Sequence, residues 1–373
     1  MTPYTDLDTP ERILLGPGPS MVHPRVLRAM AHPLLGHLDP KFVELMKETQ
    51  ELLRYVFQTK NALTVPVSGT GSAGMECAVA NLLEPGDAIM VGVNGYFGER
   101  LCEMAGRYGG KVIRLDKPWG DVFTPADIDA ALAKQPAKVV ALVHAETSTG
   151  ALTPLEGMAD VVHRHGALLL VDCVTSLGGV PIKIDEWDID MAYSGTQKCL
   201  SCPPGLSPVT VSPRAHEAMH IRKTRVTSWY LDLTMIEHYW GEERTYHHTA
   251  PISMNFALRE ALRLVQEEGL EARFARHRAN AELLWAGLES MDLRLIVPPV
   301  HRLPSLTTVA VPEGVNDADI RKRLLDDYNI EVAGGLGAFK GKAWRIGLMG
   351  YSSRRENVAL LLSALAHLLG RKG

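Results

Sequence analysis

Between about residue 64 and residue 193 the chain alternates short, continuously apolar runs with longer amphipathic ones. This alternation narrows the possible fold more than any other feature of the sequence. Residues 88–93, 111–115, 139–144, 168–172 and 191–193 are strand-like, while residues 73–83, 99–108, 125–134 and 155–165 carry apolar side chains at helical spacing. A strand that is apolar throughout has to be covered on both faces. Repeated strand–helix units of this kind predict an α/β fold with a mainly parallel sheet between two helical layers. In such sheets, ligand-binding groups gather at the carboxyl ends of the strands.

The flanking segments are of other kinds. Pro17-Gly18-Pro19 reads as an extended arm, and residues 40–55 as an amphipathic helix with Phe42, Leu45, Met46, Leu52 and Leu53 on or near one face. After about residue 250 the pattern changes to helices at 253–267, 270–291, 318–328 and 357–369, with strands at 307–311 and 344–348. A chain of 373 residues exceeds one ordinary core. The expected organisation is an N-terminal arm (1–22), a large domain (23–255) and a smaller C-terminal α+β domain (256–373).

Composition excludes several classes of function. Net charge is −4, so nothing marks the surface as basic enough for nucleic acid or an anionic membrane. No apolar run reaches the ~18–20 residues of a membrane helix. The five cysteines are few and odd in number, as expected of reduced thiols in the cytoplasm. Residues 1–10 are polar and acidic rather than signal-like, and the final Gly-Arg-Lys-Gly is no Ser-Lys-Leu-type address, so the expected compartment stays cytoplasmic.

Five segments carry chemistry. Tyr193-Ser194-Gly195-Thr196-Gln197-Lys198 places one lysine on a turn of small residues after an apolar strand. A catalytic amine needs such a loop, although a surface lysine on a turn fits the same residues. Leu168-Leu169-Leu170-Val171-Asp172 ends a fully apolar strand in a carboxylate, which needs a partner if buried. The ring nitrogen of pyridoxal phosphate (PLP) is one such partner, and a capping or turn role is the alternative. Ser68-Gly69-Thr70-Gly71-Ser72 precedes a helix, where free amides and the helix dipole suit a phosphate. Residues 69–74 formally match a dinucleotide fingerprint, but Pro66 spoils the preceding strand as a central one, and no acidic residue follows in the expected place. Arg345 lies on a strand pattern and suits a carboxylate held by two parallel hydrogen bonds, or a structural ion pair. In Tyr246-His247-His248-Thr249 the adjacent histidines lack a third ligand, so no metal is expected. Cys199 and Cys202 lack the second pair of a zinc knuckle and read as small buried thiols.

Taken together these segments resemble the class V aminotransferases of PLP fold type I, most nearly the alanine–glyoxylate and serine–glyoxylate (serine–pyruvate) group. The resemblance runs from Leu14-Leu15-Gly16-Pro17-Gly18-Pro19 through Glu146-Thr147-Ser148-Thr149-Gly150 to Arg345-Ile346-Gly347-Leu348-Met349-Gly350. It implies a large domain with a seven-stranded type of sheet and a smaller C-terminal domain. It also implies roles for individual residues. Lys198 would form the Schiff base and shuttle the α-proton. Asp172 would pair with the pyridine nitrogen, Val174 and Phe97 would pack on the ring, and Thr147 would sit near its hydroxyl. Ser68, Gly69, Thr70 and Gln197 would hold the phosphate. Tyr246 and Thr249 would reach the phosphate of a neighbouring subunit, making a homodimer with shared sites. Arg345 would bind the substrate carboxylate, with Gly16 and Gly36 on segments closing over it. Phe97 stands where animal relatives often have Trp, and Thr70 where they often have His, which leaves cofactor binding intact but bears on substrate preference.

The activity implied is transfer of an amino group to glyoxylate, giving glycine, with L-alanine as favoured donor and serine or ureidoglycine as alternatives. A cysteine desulfurase is disfavoured because no cysteine follows Cys202. The alternative outside catalysis is an α/β module that binds a nucleotide or a protein.

Overall fold

The computed structural model describes residues 4–371. Seven strands form the central sheet: β2 (Leu63–Ser68), β3 (Ala88–Val93), β4 (Lys111–Asp116), β5 (Val139–Val143), β8 (Leu168–Asp172), β9 (Met191–Tyr193) and β10 (Leu206–Val211). β1 (Ile13–Leu14) precedes them, and the two-residue strands β6 (Ala145–Glu146) and β7 (Ala151–Leu152) form a small hairpin after β5. The order across the sheet is β2-β10-β9-β8-β5-β3-β4. β4, β3, β5, β8 and β9 are mutually parallel, and β10 runs antiparallel to both of its neighbours. The mainly parallel sheet expected from the apolar runs is present.

Two of its strands, β2 and β10, are not among the expected ones, and each contains proline. The structure explains how they fit. β2 is an edge strand, and Pro66 lies directly opposite Pro208 of β10, where neither residue is required to donate across the pair.

Side-chain alternation accounts for the unbroken apolar runs. Along β5, Val140 and Leu142 belong to one core cluster, while Val139, Ala141 and Val143 belong to the other, on the opposite face. Helices cover both faces. α1 (Pro24–Met30) and α2 (Pro40–Phe57) come first; His23 and Asp39 accept hydrogen bonds from the first turns, and each helix starts on proline. α3 (Gly71–Leu82) and α4 (Tyr96–Arg107) lie on one face. α5 (Pro125–Lys134), which starts with a Thr124/Asp127 capping box, and α6 (Met158–Arg164) lie on the other. α7 (Pro213–His220) and α8 (Leu233–Trp240) join the α3/α4 side. α1, α7 and α8 are not among the helices expected from the apolar spacing.

Helix α9 (Ile252–Glu268) straddles the expected division at 255/256. It buries Ala257, Leu258, Ala261, Leu262 and Val265 against the large-domain core. A separate C-terminal core begins in the second half of α10 (Leu270–Ser290), at Leu284 and Leu288. It is completed by α11 (Asp317–Tyr328), α12 (Arg355–Leu368) and an antiparallel sheet of β11 (Leu306–Ala310), β14 (Ala343–Gly347) and β13 (Ala333–Gly334). The N-terminal arm is stitched into this second core: β1 pairs with β12 (Ile330–Glu331), and Leu15 is fully buried there. No described helix is long and apolar enough to cross a membrane.

Candidate active site

The sheet register brings the chemistry together. Val143, Asp172 and Tyr193 end neighbouring parallel strands, with Val143 opposite Asp172 and Asp172 opposite Tyr193. The chain leaving each strand end lines one cavity of about 170 Å³, whose wall includes Thr70, Phe97, Thr147, Asp172, Val174 and Lys198.

Lys198 is 9% exposed. Its turn is held from inside by Thr196, which donates to the Pro203 carbonyl at 2.7 Å. From outside, the N-terminal arm clamps it: the Ser20 N–H donates to the Gln197 carbonyl at 2.9 Å, and Ser20 Oγ donates to the Lys198 carbonyl at 2.7 Å. Lys198 Nζ itself donates to the Pro17 carbonyl. Burial, and then the charge of Arg345, lower the lysine pKa to about 8. A surface lysine has neither property.

Gly18 shows how closely the arm approaches. Its φ is +103°, and a Cβ there would stand 2.7 Å from Lys198 Cδ and 2.9 Å from Nζ. Only glycine accommodates both the backbone and the contact.

Asp172 is 4% exposed, and among the described residues no cation lies within salt-bridge distance of it; Lys198 and Arg100 act on it only at longer range. Its Oδ1 accepts the Val174 N–H at 2.9 Å, and its Oδ2 accepts the Tyr193 hydroxyl at 2.9 Å. Burial outweighs these bonds and raises its pKa to about 6. A carboxylate so desolvated is stabilised by a protonated nitrogen arriving from the cavity, and PLP offers that nitrogen. The remaining wall fits the same group. Thr70 is the N-cap of α3 and makes no side-chain cap bond; the Ala73 N–H is taken by the Thr70 carbonyl, which leaves the Gly71 and Ser72 amides available to an anion. Gln197 holds a buried amide oxygen without a donor; turning that amide over offers its N–H₂ to an anion instead. A Cβ on Gly71 would come within 3.2 Å of Val174, so the cradle admits no larger residue there without displacement. Phe97 and Val174 supply apolar surface for a ring, and Thr147 Oγ1 lies 2.5 Å from Thr175 Oγ1.

Two guanidinium groups flank the lysine. Arg345 is 7% exposed; its Nε donates to the Gly334 carbonyl at 2.9 Å and its Nη1 to the Thr147 carbonyl at 3.4 Å. Among the described residues no carboxylate lies within salt-bridge distance of it. Glu146 acts on it only at longer range, and burial lowers its pKa to about 10. Arg100 lies on the cavity wall, donates to Ser72 Oγ at 3.1 Å, and stacks over the Phe97 ring at 4.8 Å. Beneath both, the fully buried Glu146 accepts from Ser148 N–H and Oγ (2.9 and 2.6 Å) and from the Phe97 N–H (3.2 Å); burial pushes its pKa to about 7.

Thr70, Phe97, Thr147, Asp172, Val174, Gln197 and Lys198 are thus brought together on one cavity, with Ser68, the last residue of β2, and Gly69 immediately before Thr70. Arg345 joins them through the Thr147 carbonyl. Gly16 packs beside Gly347, while its neighbours Pro17 and Gly18 make the contact with Lys198. Gly36 is exposed on the loop before α2 and does not line the cavity. Tyr246 is 56% exposed and 3.5 Å from Thr249 Oγ1, and neither residue lines the cavity of its own chain. His248 Nε2 lies 2.7 Å from Ser68 Oγ, and His247 and His248 face each other through Nδ1 at 2.7 Å. All five cysteines are buried free thiols.

Arg100, Tyr193 and Gly18 were missed as site residues. Arg100 is three residues beyond Phe97 on a helix and shares its face. Tyr193 ends the strand beside Asp172, so its placement followed from register.

The chain matches the family model described as aminotransferase class-V over residues 13–360. It is 43% identical to a (S)-ureidoglycine–glyoxylate transaminase of Bacillus subtilis, over 100% of this chain and 94% of that protein. It is 44% identical to an alanine–glyoxylate aminotransferase of Rattus norvegicus, over 97% and 89% respectively. Its fold superposes with a TM-score of 0.97 on the crystal structure of an alanine–glyoxylate aminotransferase from Nostoc sp., with 54% identity, 98% of this chain and 97% of that one.

Proposed function

The chain belongs to the class-V aminotransferases, and we propose that within this family it transfers the amino group of L-alanine to glyoxylate with PLP as cofactor. The observation that carries this reading is Arg345: a buried guanidinium beside the reactive lysine with no carboxylate partner of its own. A desolvated cation of this kind needs an anion, and an α-carboxylate presents the two oxygens that its planar fork matches.

When bound, PLP supplies an electron sink for the charge that develops at the substrate Cα. The protein does the rest. Lys198 Nζ is the amine that anchors the aldehyde carbon. With its pKa lowered to about 8, a tenth or so of this amine is unprotonated at neutral pH, and it would be the group that takes the Cα proton and returns it. Asp172 would hold a proton on the ring nitrogen, and Tyr193 holds Asp172. Ser68, Gly69, Thr70, Gln197 and the α3 amides receive the phosphate. Phe97 and Val174 fix the plane of the ring. Arg345 orients the donor, and then glyoxylate, by the carboxylate.

Tyr246 and Thr249 are exposed and lie off the cavity of their own chain, which supports a homodimer in which they complete the partner's phosphate site. Five reduced thiols suit the cytoplasm. The 54% identity to the Nostoc enzyme favours alanine as donor, and the full-length match to the Bacillus enzyme makes ureidoglycine the second reading. A donor panel of alanine, serine and ureidoglycine against glyoxylate decides between them. Alanine is expected to give the highest kcat/KM, and a tenfold preference for ureidoglycine would overturn the assignment.

A further inference from the structure

On the α3/α4 side of the sheet, helices α7 and α8 bring three ligand atoms to one point. His216 and His220 are one turn apart on α7 and share a face. His216 Nε2 lies 2.7 Å from Glu237 Oε2 of α8, and His220 Nε2 lies 2.9 Å from Glu237 Oε1. The two Nε2 atoms are themselves only 3.2 Å apart. Among the described residues this is the one cluster of three such groups with all ligand atoms within 4.8 Å.

Hydrogen bonds satisfy this arrangement poorly. If both imidazoles donate from Nε2 to the carboxylate, two N–H dipoles of like sense sit side by side at 3.2 Å. If one donates to the other, the carboxylate loses a donor. One cation in place of the protons resolves all three contacts, because two lone pairs and a carboxylate then converge on it. Ligands about 2.0–2.1 Å from a tetrahedral ion stand about 3.3 Å apart; the two imidazole nitrogens, at 3.2 Å, already have that separation, and the Glu237 carboxylate, now at hydrogen-bond distance from both, has to withdraw by about half an ångström to admit the ion.

We propose that His216, His220 and Glu237 form a binding site for a divalent transition-metal ion of the zinc class. Two imidazoles and one carboxylate suit such an ion and not Mg²⁺ or Ca²⁺, which take oxygen. The three side chains line a surface cavity of about 560 Å³ and are 42%, 42% and 18% exposed, so the ion has a path in and water completes its shell. Glu242 and Glu243 line the same cavity and add negative potential.

The site lies apart from the lysine cavity, and its ion is structural. α7 and α8 bracket residues 221–232, on which the next loop rests: Trp229 stacks on His247 at 4.3 Å, and its carbonyl lies 3.1 Å from His247 Nε2. An ion pinning α7 to α8 fixes the root of the loop that carries Tyr246 and Thr249.

The test is a Zn²⁺ titration of tag-free, PLP-loaded protein by calorimetry, with metal content measured after dialysis. One equivalent per chain is expected. Thermal unfolding should rise by about 3 °C at a hundredfold excess over Kd. His216→Ala and His220→Ala should each weaken binding by about 100-fold or more, since losing a ligand costs at least what losing an outer hydrogen bond does. His220→Gln, which keeps a donor to Glu237 but is a poor ligand, should lose Zn²⁺ and keep the unliganded melting temperature. All three variants should transaminate within about twofold of wild type. Absence of saturable binding, or undiminished binding by the variants, would overturn the proposal.

Discussion

The cavity wall made by the ends of β5, β8 and β9, and a second wall that the N-terminal arm and β14 build behind it against Lys198 and the Thr147 carbonyl, are built on different principles. The first is a row of adjacent strand ends within one sheet. Its positions are fixed by ladder hydrogen bonds and by core packing on both faces, so Asp172, Tyr193 and the Thr147 turn sit in a rigid frame. The second is assembled from segments far apart in the chain, with Pro17 and Gly18 against Lys198, and Arg345 reaching the Thr147 carbonyl. On the proposed function, the rigid wall would face the cofactor, which stays, and the assembled wall the substrates, which exchange.

If this division is right, substitutions on the sheet wall abolish chemistry, and substitutions on the other wall change substrate binding. Lys198→Ala should lower the rate of pyruvate formation from alanine and glyoxylate by about 10⁴-fold or more, because both the covalent anchor and the proton carrier are gone. Activity retained above a few percent would remove the lysine from the mechanism.

Asp172→Asn should cost about 10²–10³-fold in kcat and, against ordinary expectation, stabilise the protein without cofactor. The sign follows from its pKa. Asp172 is raised from 3.8 to about 6 by burial, so the folded state binds the proton more tightly than the unfolded state does. The penalty for ionising it is absent below the unfolded value and complete above the folded one. Stability of the cofactor-free protein therefore falls as pH rises from 4 to 6, by up to about 3 kcal/mol. Urea midpoints across that range should show a shallower fall in Asp172→Asn, and also in wild type saturated with PLP. Equal slopes in all three would mean that the carboxylate is not waiting for a cationic partner.

The same division explains what was legible in the sequence. Asp172, Thr147, Val174 and Lys198 all follow apolar strands, and strand ends are readable from the 2-residue period and its punctuation. β2 was legible only as no central strand, because of Pro66, which fits its place at the edge, and the segment of β10, with Pro208 opposite Pro66, carried no strand expectation. Arg345 stood out only as an arginine on a strand; that it lacks a carboxylate partner is a fact of three-dimensional packing. His216 and His220 had helical spacing, but Glu237 lies on a separate helix, and no local pattern joins them.

On the assembled wall, Arg345→Lys should raise KM for both alanine and glyoxylate by about 10–100-fold while changing kcat less, because a point charge replaces a two-pronged donor. An unchanged KM with a lowered melting temperature would make Arg345 a packing residue and break the comparison at its strongest point.

The finest distinction lies within the arm itself. Gly16 and Gly18 are two residues apart, but a Cβ on Gly16 meets nothing nearer than Glu331 Oε1 at 3.8 Å, whereas one on Gly18 meets the lysine at 2.7 Å with φ at +103°. Gly18→Ala should strain the backbone by about 1–2 kcal/mol and displace the Lys198 side chain from the Pro17 carbonyl. Its kcat should fall roughly tenfold, with a changed pH profile for the lysine. Gly16→Ala should leave kcat within about twofold. Equal effects of the two would mean that the arm acts by covering the cavity as a whole, and that its contact with Lys198 carries no separate role.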